Sequence, residues 1–214
     1  MIIGVLQQKG GVGKTTLALN LAAAYASAGQ RVLLVDADPQ GSALAWSSVR
    51  ERAPLFSVIG MPKPTLHKEL PAIAADYDMV LIDGAPRVND LARSAILACH
   101  HVLIPVQPSP FDVWSCTEIL GLIGEAQQFR PEITASFVLN RKIANTAIAR
   151  DVLKAFEGLV CPLEPTRITQ RVAFAEAAAQ GLTVIETAPS SMAALEIYDL
   201  AENLKSATKE RRVA

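Results

Sequence analysis

Residues 8–16 bring together the residue types that hold a polyphosphate. Their sequence is QKGGVGKTT, and it lies between the apolar run Ile2–Leu6 and a helical pattern that begins near Lys14. Glycines allow backbone N–H groups to close around phosphate oxygens, and the start of a helix adds a positive dipole. We expect Lys14 to reach the β- and γ-phosphates and the Thr15 hydroxyl to bind Mg²⁺. The residues predicted to contact the nucleotide here are Gly10, Gly11, Val12, Gly13, Lys14, Thr15 and Thr16.

Carboxylates follow two other apolar runs. Asp36 and Asp38 stand at the end of Arg31–Val35, and Asp83 ends Met79–Ile82. The carboxyl ends of central parallel strands meet at one edge of a sheet, so we expect these side chains beside the loop. Carboxylates in that position can bind Mg²⁺, directly or through water, or orient an attacking water. A helix cap is the alternative role for an Asp at a strand end.

The elements that position these residues alternate between buried strands and helices. This pattern predicts an α/β fold, a single-domain, doubly wound, mostly parallel sheet with helices on both faces. We predict the domain over residues 1–205 and a basic tail over 206–214, with Asp112 capping the fifth helix. The predicted strands are Ile2–Gln7, Arg31–Asp36, Phe56–Ile59, Met79–Asp83, His101–Val106, Ala135–Leu139 and Leu159–Leu163. The predicted helices are Lys14–Ser27, Gly41–Arg52, Leu66–Ala75, Leu91–Ala98, Val113–Gln128, Thr146–Glu157, one that opens within Pro165–Arg171, and Ser190–Lys205.

The composition suits this fold and excludes several classes of protein. Half of the 214 residues are hydrophobic and only 5% are aromatic, as expected for buried parallel strands between Ala-rich helices. Three cysteines without disulfide-like spacing indicate a reducing cytoplasm. No apolar run approaches the roughly 20 residues of a membrane span, and the first residues lack the pattern of a signal peptide. The net charge of −1 does not by itself identify a polyanionic partner.

The run Lys9–Thr16 resembles the deviant Walker A loop of the ParA/MinD family of ATPases. The sequence DADPQ at residues 36–40 and the Walker B pattern ending at Asp83 follow it in the family's order, and the chain is most similar to the compact plasmid-partition ParA type. The resemblance implies the P-loop NTPase fold and an arginine-finger-like role for Lys9, which reaches the partner's ATP across a dimer interface. It also implies that Asp38 positions the hydrolytic water and that Asp36 supports Mg²⁺ through water. The alternative for Lys9 is an exposed lysine beside an ordinary phosphate-binding loop.

The resemblance also indicates where the base of the nucleotide is bound. In the family, residues after the sixth strand contact adenine, which implies a hydrogen bond from Asn140 and stacking by Arg141. The family usually has a proline near the position at which this chain has Thr169. We predict that Thr169 contacts the base, but the residue type at this position departs from the family's pattern. A solvated turn is the alternative for Asn140 and Arg141.

Residues 84–90 would sense the γ-phosphate.

The function implied by the resemblance is that of a nucleotide switch. An Mg²⁺-dependent ATPase, slow and stimulated by a ParB-like or other cargo adaptor, would form an ATP-dependent homodimer. That dimer would bind nonspecific DNA and partition or position a plasmid, chromosome or organelle, which implies a cytoplasmic, nucleoid-associated protein. Residues 130–171 contain seven Lys and Arg against four Asp and Glu, a mild excess. The prediction of DNA binding therefore depends on the resemblance more than on charge.

Two other functions and a metal site are less well supported by the sequence. A MinD-like membrane-associated ATPase needs a C-terminal helix with bulky apolar residues, but after Leu204 the apolar residues are Ala207, Val213 and Ala214. A P-loop small-molecule ligase needs a second substrate pocket, for which the sequence shows no candidate. A metal site at residues 99–101, whose sequence is CHH, needs about four ligands, and no second Cys/His cluster exists. We interpret residues 99–101 as a turn between a helix and a strand.

Overall fold

The computed structural model describes residues 1–86, 89–142 and 161–210. Seven strands and eight helices lie within these ranges. The strands are β1 (Ile2–Val5), β2 (Val32–Asp36), β3 (Ser57–Gly60), β4 (Met79–Asp83), β5 (His101–Val106), β6 (Thr134–Lys142) and β7 (Leu163–Thr169). The helices are α1 (Lys14–Ser27), α2 (Ser42–Ser48), α3 (Leu66–Ala74), α4 (Asn89–Ala98), α5 (Pro110–Gln127), α6 (Ala173–Ala178), α7 (Val184–Thr187) and α8 (Met192–Glu210).

The strands form one parallel sheet in the order β3-β2-β4-β1-β5-β6-β7. β1 lies in the centre, between β4 and β5, and the strands β2 to β4 lie on one side of it while β5 to β7 lie on the other. The direction of winding therefore changes next to β1. In open α/β sheets, ligands bind at the carboxyl ends of the strands at such a switch point. The loop after β1 occupies this position.

Apolar helices cover both faces of the sheet. Adjacent strand residues face opposite sides: Leu33 belongs to the apolar cluster that includes side chains of α3, α4 and α5, and Leu34 belongs to the cluster with α1 and α8. The strands β2 and β4 are buried along their whole length because each face carries a helical layer. The predicted doubly wound α/β architecture is confirmed.

Most predicted elements agree with the structure, and α1, β4 and β5 have the predicted bounds. Two predictions about helices are wrong. The predicted helix Gly41–Arg52 is shorter, and α5 begins at Pro110, so Asp112 lies inside its first turn instead of capping it. Proline suits the first helical position because that N–H has no partner within the helix and φ is already near the helical value. The predicted helix Thr146–Glu157 lies outside the described residues.

The largest error concerns the last strand. The sequence suggested a strand at 159–163 and a helix opening within 165–171, but the segment forms β7. Its backbone pairs with β6, with Leu139 opposite Arg167 and Lys142 opposite Thr169. Because β7 is an edge strand, it tolerates Pro165, which would interrupt a central strand. The partner strand, and not the local sequence, therefore decides the conformation here.

Candidate functional site

The loop between β1 and α1 needs glycine at positions where other residues would be strained. Gly11 has φ 75° and Gly13 has φ 91°, both in the left-handed region. Gly13 also leaves space for a neighbour, because a Cβ atom there would overlap the side-chain amide of Asn140. α1 begins immediately afterwards at Lys14, so the free N–H groups of its first turn face the loop. This geometry suits an anion.

Lys14 lies across the loop that precedes it. Its side chain is buried, and Nζ donates a hydrogen bond to the backbone carbonyl of Lys9 at 3.1 Å. Burial lowers the pKa of Lys14, while Asp83 and Asp38 oppose this shift and favour the charged form. An ammonium has three N–H donors, so the bond to Lys9 leaves donors for a phosphate. The structure thus places a cation between the loop and the two carboxylates.

Asp83 is a buried carboxylate at the end of β4. Strand register sets its Cα opposite Asp36 on β2 and opposite Val5 on β1. Neither oxygen accepts a hydrogen bond from any described residue. Burial raises the pKa of Asp83 to about 7, and repulsion from Asp36 adds to this increase. The nearby Thr15 hydroxyl opposes the increase, although it does not reach hydrogen-bonding geometry. An orphaned buried carboxylate is costly, and beside a hydroxyl it fits a hard cation with oxygen ligands.

Asp36 has a structural role that the sequence offered only as an alternative. Its Oδ2 accepts hydrogen bonds from the backbone N–H groups of Ala43 (2.9 Å) and Leu44 (3.0 Å) at the start of α2. Its Oδ1 accepts from the N–H of Asp38 at 3.2 Å. The carboxylate therefore caps α2 from the adjacent strand and holds the segment that carries Asp38. Its support of Mg²⁺ through water stays a prediction.

Asp38 is held in a tight turn at the edge of the site. Its Oδ1 accepts a hydrogen bond from the N–H of Gln40 at 2.9 Å, and its carbonyl accepts from the N–H of Gly41 at 2.9 Å. The side chain is half-buried and lies close enough to Lys14 and Asp83 to influence the pKa of both. Lys14, Asp38 and Asp83 thus lie within electrostatic range at the carboxyl edge of the sheet.

Asn140 connects the glycine-rich loop between β1 and α1 to the end of β6. Its Nδ2 donates to the carbonyl of Val12 at 2.7 Å, and its Oδ1 accepts from the N–H of Arg141 at 2.9 Å. The contact of Asn140 with the base stays a prediction, and the tie to the loop is a role that the sequence did not indicate. The sequence also did not indicate a second hydrogen bond to this loop. Nε2 of Gln107, which follows β5, donates to the carbonyl of Gly11 at 3.0 Å.

A cavity of about 790 Å³ lies next to Asn140, and its volume is within the usual range of ligand pockets. It brings Gly13 and Thr16 together with the three residues predicted to contact the base, Asn140, Arg141 and Thr169. Arg141 has φ 53°, an uncommon conformation for a residue other than glycine that often marks a functional position. The sequence did not indicate the rest of the lining, part of which follows β7, a segment predicted to be helical. The other lining residues are Leu17, Lys142, Ile168, Gln170, Arg171, Val172, Phe174, Ala175 and Ala178.

The residues Cys99, His100 and His101 bind separate partners. Cys99 Sγ donates to the carbonyl of Ala95, and Nδ1 of His100 accepts from the N–H of Ile2 at 3.0 Å. His101 is buried between two hydroxyls on β6. In the described part of the chain, no group of three or more His, Cys, Asp or Glu side chains could hold a metal ion. Any Mg²⁺ here must therefore take much of its coordination from Thr15, phosphate oxygens and water.

Replacing Asn140 with alanine is expected to weaken ATP binding about five- to tenfold. The change removes the bond to Val12 and leaves that carbonyl without its partner, which costs on the order of 1 kcal/mol. Calorimetric titration with ATP and Mg²⁺ measures the effect. Asn203→Ala is a matched control, because Asn203 Nδ2 donates to the Thr166 hydroxyl at 2.8 Å on a surface that does not line the cavity. Equal affinity in both variants would show that the tie to the loop is unimportant for binding.

Comparison with known proteins identifies a family that the chain matches and relatives of similar length. Residues 3–184 match the family model described as the CobQ/CobB/MinD/ParA nucleotide binding domain. The maintenance of carboxysome distribution protein A of Halothiobacillus neapolitanus is 30% identical over 187 residues, which are 86% of this chain and 86% of that protein. The chromosome-partitioning ATPase Soj of Thermus thermophilus is 29% identical, over 97% of this chain and 96% of that protein.

A solved structure shows how closely the fold agrees. The septum site-determining protein MinD of Pyrococcus horikoshii, in complex with Mg-ADP, superposes with a TM-score of 0.75 at 21% identity. The superposition covers 95% of this chain and 95% of that chain. Within the described ranges, no helix has the length and apolar character needed to cross a membrane.

Proposed function

Because this chain belongs to the CobQ/CobB/MinD/ParA nucleotide-binding family, as its loop motifs predict, we propose that it is an Mg²⁺-dependent ATPase that acts as a dimerising switch. The observation that carries the proposal is the arrangement at the carboxyl edge of the sheet. There the buried Asp83, which accepts no hydrogen bond from the described residues, and the cation of Lys14 lie beside a glycine-rich loop and a cavity of about 790 Å³.

The two parts of the site suit the two parts of a nucleotide. The N–H groups of residues 10–16 bind the phosphates, and Lys14 donates to the β- and γ-phosphates. The cavity receives the base and the ribose, next to Asn140, Arg141 and Thr169. Thr15 and Asp83 hold Mg²⁺, with Asp36 acting through water. When bound, the metal neutralises charge that develops on the phosphates.

Two further side chains act on the reacting phosphate. Asp38 accepts a hydrogen bond from the attacking water and orients it. The turn around Asp38 holds the carboxylate at the edge of the site, where a water could approach. Lys9 supplies positive charge to the ATP of a second copy of the chain, so that hydrolysis requires a dimer.

We propose further that the ATP-bound dimer binds nonspecific DNA and that a partner protein, bound to a cargo, stimulates hydrolysis. The relatives support this class of function: one is named for carboxysome distribution and another for chromosome partitioning. We propose a plasmid, a chromosome region or an organelle as the cargo of this chain. DNA binding through Lys and Arg would weaken as salt increases.

The experiment that tests this function measures binding to nonspecific duplex DNA with ATP·Mg²⁺, with ADP·Mg²⁺ and without nucleotide, at two salt concentrations. Light scattering on the same samples gives the mass of the protein. We expect salt-sensitive DNA binding only with ATP, together with a dimer. A dimer that binds liposomes but no DNA would instead support a MinD-like function. Turnover only with a small-molecule acceptor would support a ligase.

Replacing Asp38 with alanine is expected to trap the ATP-bound dimer, because the water is no longer oriented. Hydrolysis should fall about 10²- to 10⁴-fold, the usual contribution of a positioned acid or base. Asp38→Asn separates charge from structure, since its amide oxygen can still accept from the N–H of Gln40. Both variants should accumulate dimers on light scattering and release phosphate slowly. Normal turnover by Asp38→Asn would remove the carboxylate from the mechanism.

A further inference from the structure

A single carboxylate from α8 holds one wall of the cavity. Glu196 Oε1 accepts hydrogen bonds from the Thr169 hydroxyl (2.9 Å) and from Arg171 Nη2 (2.9 Å). Its Oε2 accepts from the Thr169 N–H (2.9 Å) and from Arg171 Nη1 (2.6 Å). A carboxylate has about four acceptor positions, and all of them are used. Glu196 itself does not line the cavity, whereas Thr169 and Arg171 both do.

This wall is a part of the fold that needs support. Thr169 ends β7, the edge strand, so the segment of residues 169–172 has a neighbouring strand on one side only. On that side the N–H of Gln170 donates to the carbonyl of Lys142 at 3.0 Å. On the other side the segment is bound by Glu196. The wall is therefore fixed from both directions before any ligand enters.

The bonds to Glu196 also decide what the wall can offer to a ligand. Both hydrogen-bond donors of Thr169 are used, so its hydroxyl cannot donate to the base while the present bonds hold and can only accept from it. The guanidinium of Arg171 is paired in a bidentate ion pair. A neutralised cation next to Ile168 and Phe174 suits an uncharged nucleoside better than a polyphosphate.

We propose that Glu196 is a positioning residue for the nucleoside half of the ligand, which it supports through Thr169 and Arg171 without touching the nucleotide. This inference rests on the proposed binding of ATP. A wall that is already ordered binds its ligand without the entropic cost of ordering a loop. Losing Glu196 should therefore weaken ligands that carry a nucleoside and leave unchanged those that consist of phosphate alone.

The test compares Glu196→Gln with the wild-type chain in calorimetric titrations of ATP, ADP and inorganic tripolyphosphate, each with Mg²⁺. Glutamine keeps the size of the side chain, but its amide nitrogen cannot accept from Thr169 or Arg171. We expect the dissociation constants for ATP and ADP to rise about tenfold, as for loss of charge-assisted hydrogen bonds that order a loop. Tripolyphosphate should bind as in the wild type, because it occupies only the loop.

The chain contains a matched control for lost stability. Glu186 accepts from the N–H and the hydroxyl of Thr183 (3.0 and 3.1 Å) and from Nη1 and Nη2 of Arg50 (3.1 and 2.6 Å). This is the same set of four bonds, but none of these residues lines the cavity. Glu186→Gln should lower the melting temperature and leave the affinity for all three ligands unchanged. If Glu196 had a merely structural role, Glu196→Gln would likewise lower the melting temperature and leave the affinity for all three ligands unchanged.

The outcomes separate this inference from the proposed function. Suppose that the wild-type chain binds ATP. If Glu196→Gln then binds ATP with the same affinity, or if its affinities for ATP and tripolyphosphate fall equally, only the role of Glu196 is overturned. If the wild-type chain binds no ATP, the proposed function fails and the role of Glu196 fails with it. Thr169→Val removes one of the four bonds and keeps the shape of the side chain, which guards against a misfolded Glu196 variant. It should show a smaller loss, again confined to ATP and ADP.

Discussion

The Lys14→Ala variant is expected to lose nucleotide binding, with an affinity for ATP lower by on the order of 10²- to 10³-fold. Lys14 is the buried cation of the loop, and its partners on binding are the most highly charged atoms of the ligand. Removing one member of a buried charge pair costs about 2–5 kcal/mol, and each 1.4 kcal/mol is about tenfold. Calorimetric titration with ATP and Mg²⁺ measures the loss directly.

The folded state of the Lys14 variant must be checked in the same experiment. The change removes the hydrogen bond to the Lys9 carbonyl and a cation that opposes the high pKa of Asp83. Circular dichroism and a thermal melt without nucleotide should show a folded protein, since α1 and its apolar contacts remain. Unchanged ATP affinity in a folded Lys14→Ala variant would refute the assignment of the phosphate-binding loop.

Replacing Lys9 with alanine or glutamine is expected to separate binding from hydrolysis. Only the backbone carbonyl of Lys9 accepts the bond from Lys14, so truncating the Lys9 side chain leaves this contact in place. ATP binding by the monomer should persist, whereas ATP-dependent dimerisation should disappear. Hydrolysis should fall by on the order of 10³-fold, as when an arginine finger is withdrawn from a phosphoryl-transfer site.

Light scattering with ATP and a phosphate-release assay measure these two effects. Lys63→Ala is a suitable control, because Lys63 is an exposed lysine whose ion pair with Glu69 lies outside the site. A Lys9 variant that still dimerises and turns over ATP would make Lys9 an ordinary lysine beside the loop. The Lys14 and Lys9 variants together distinguish the cation that binds ATP from the cation that completes the site in a dimer.

The local sequence was sufficient for the phosphate-binding loop. The glycines at 10, 11 and 13, the lysine at 14 and the start of α1 follow one another without a gap, so their geometry depends on adjacent residues. The strand ends at Asp36 and Asp83 were also predictable, because fully apolar runs that stop at a charge indicate buried parallel strands. The predicted family and fold are confirmed on this basis.

The tertiary structure decided how these parts are joined. Asn140 bonds to Val12 and Gln107 bonds to Gly11, over separations of 128 and 96 residues that no local pattern records. Asp36 shows the same limit: the sequence allowed a magnesium ligand or a helix cap, and only the position of α2 reveals the cap.

The side of the site where we propose that the nucleoside binds depends most on long-range contacts. β7 has little strand character of its own and forms by pairing with β6, so the sequence indicated Thr169 but not the rest of the cavity wall that follows β7. Glu196 reads in the sequence as one more polar residue on an amphipathic helix, and its four bonds exist only once α8 packs beside β7. The sequence alone therefore indicated the proposed phosphate-binding chemistry, which lies in contiguous residues. Folding alone determined the cavity, because its residues meet only through the pairing of strands and the packing of helices.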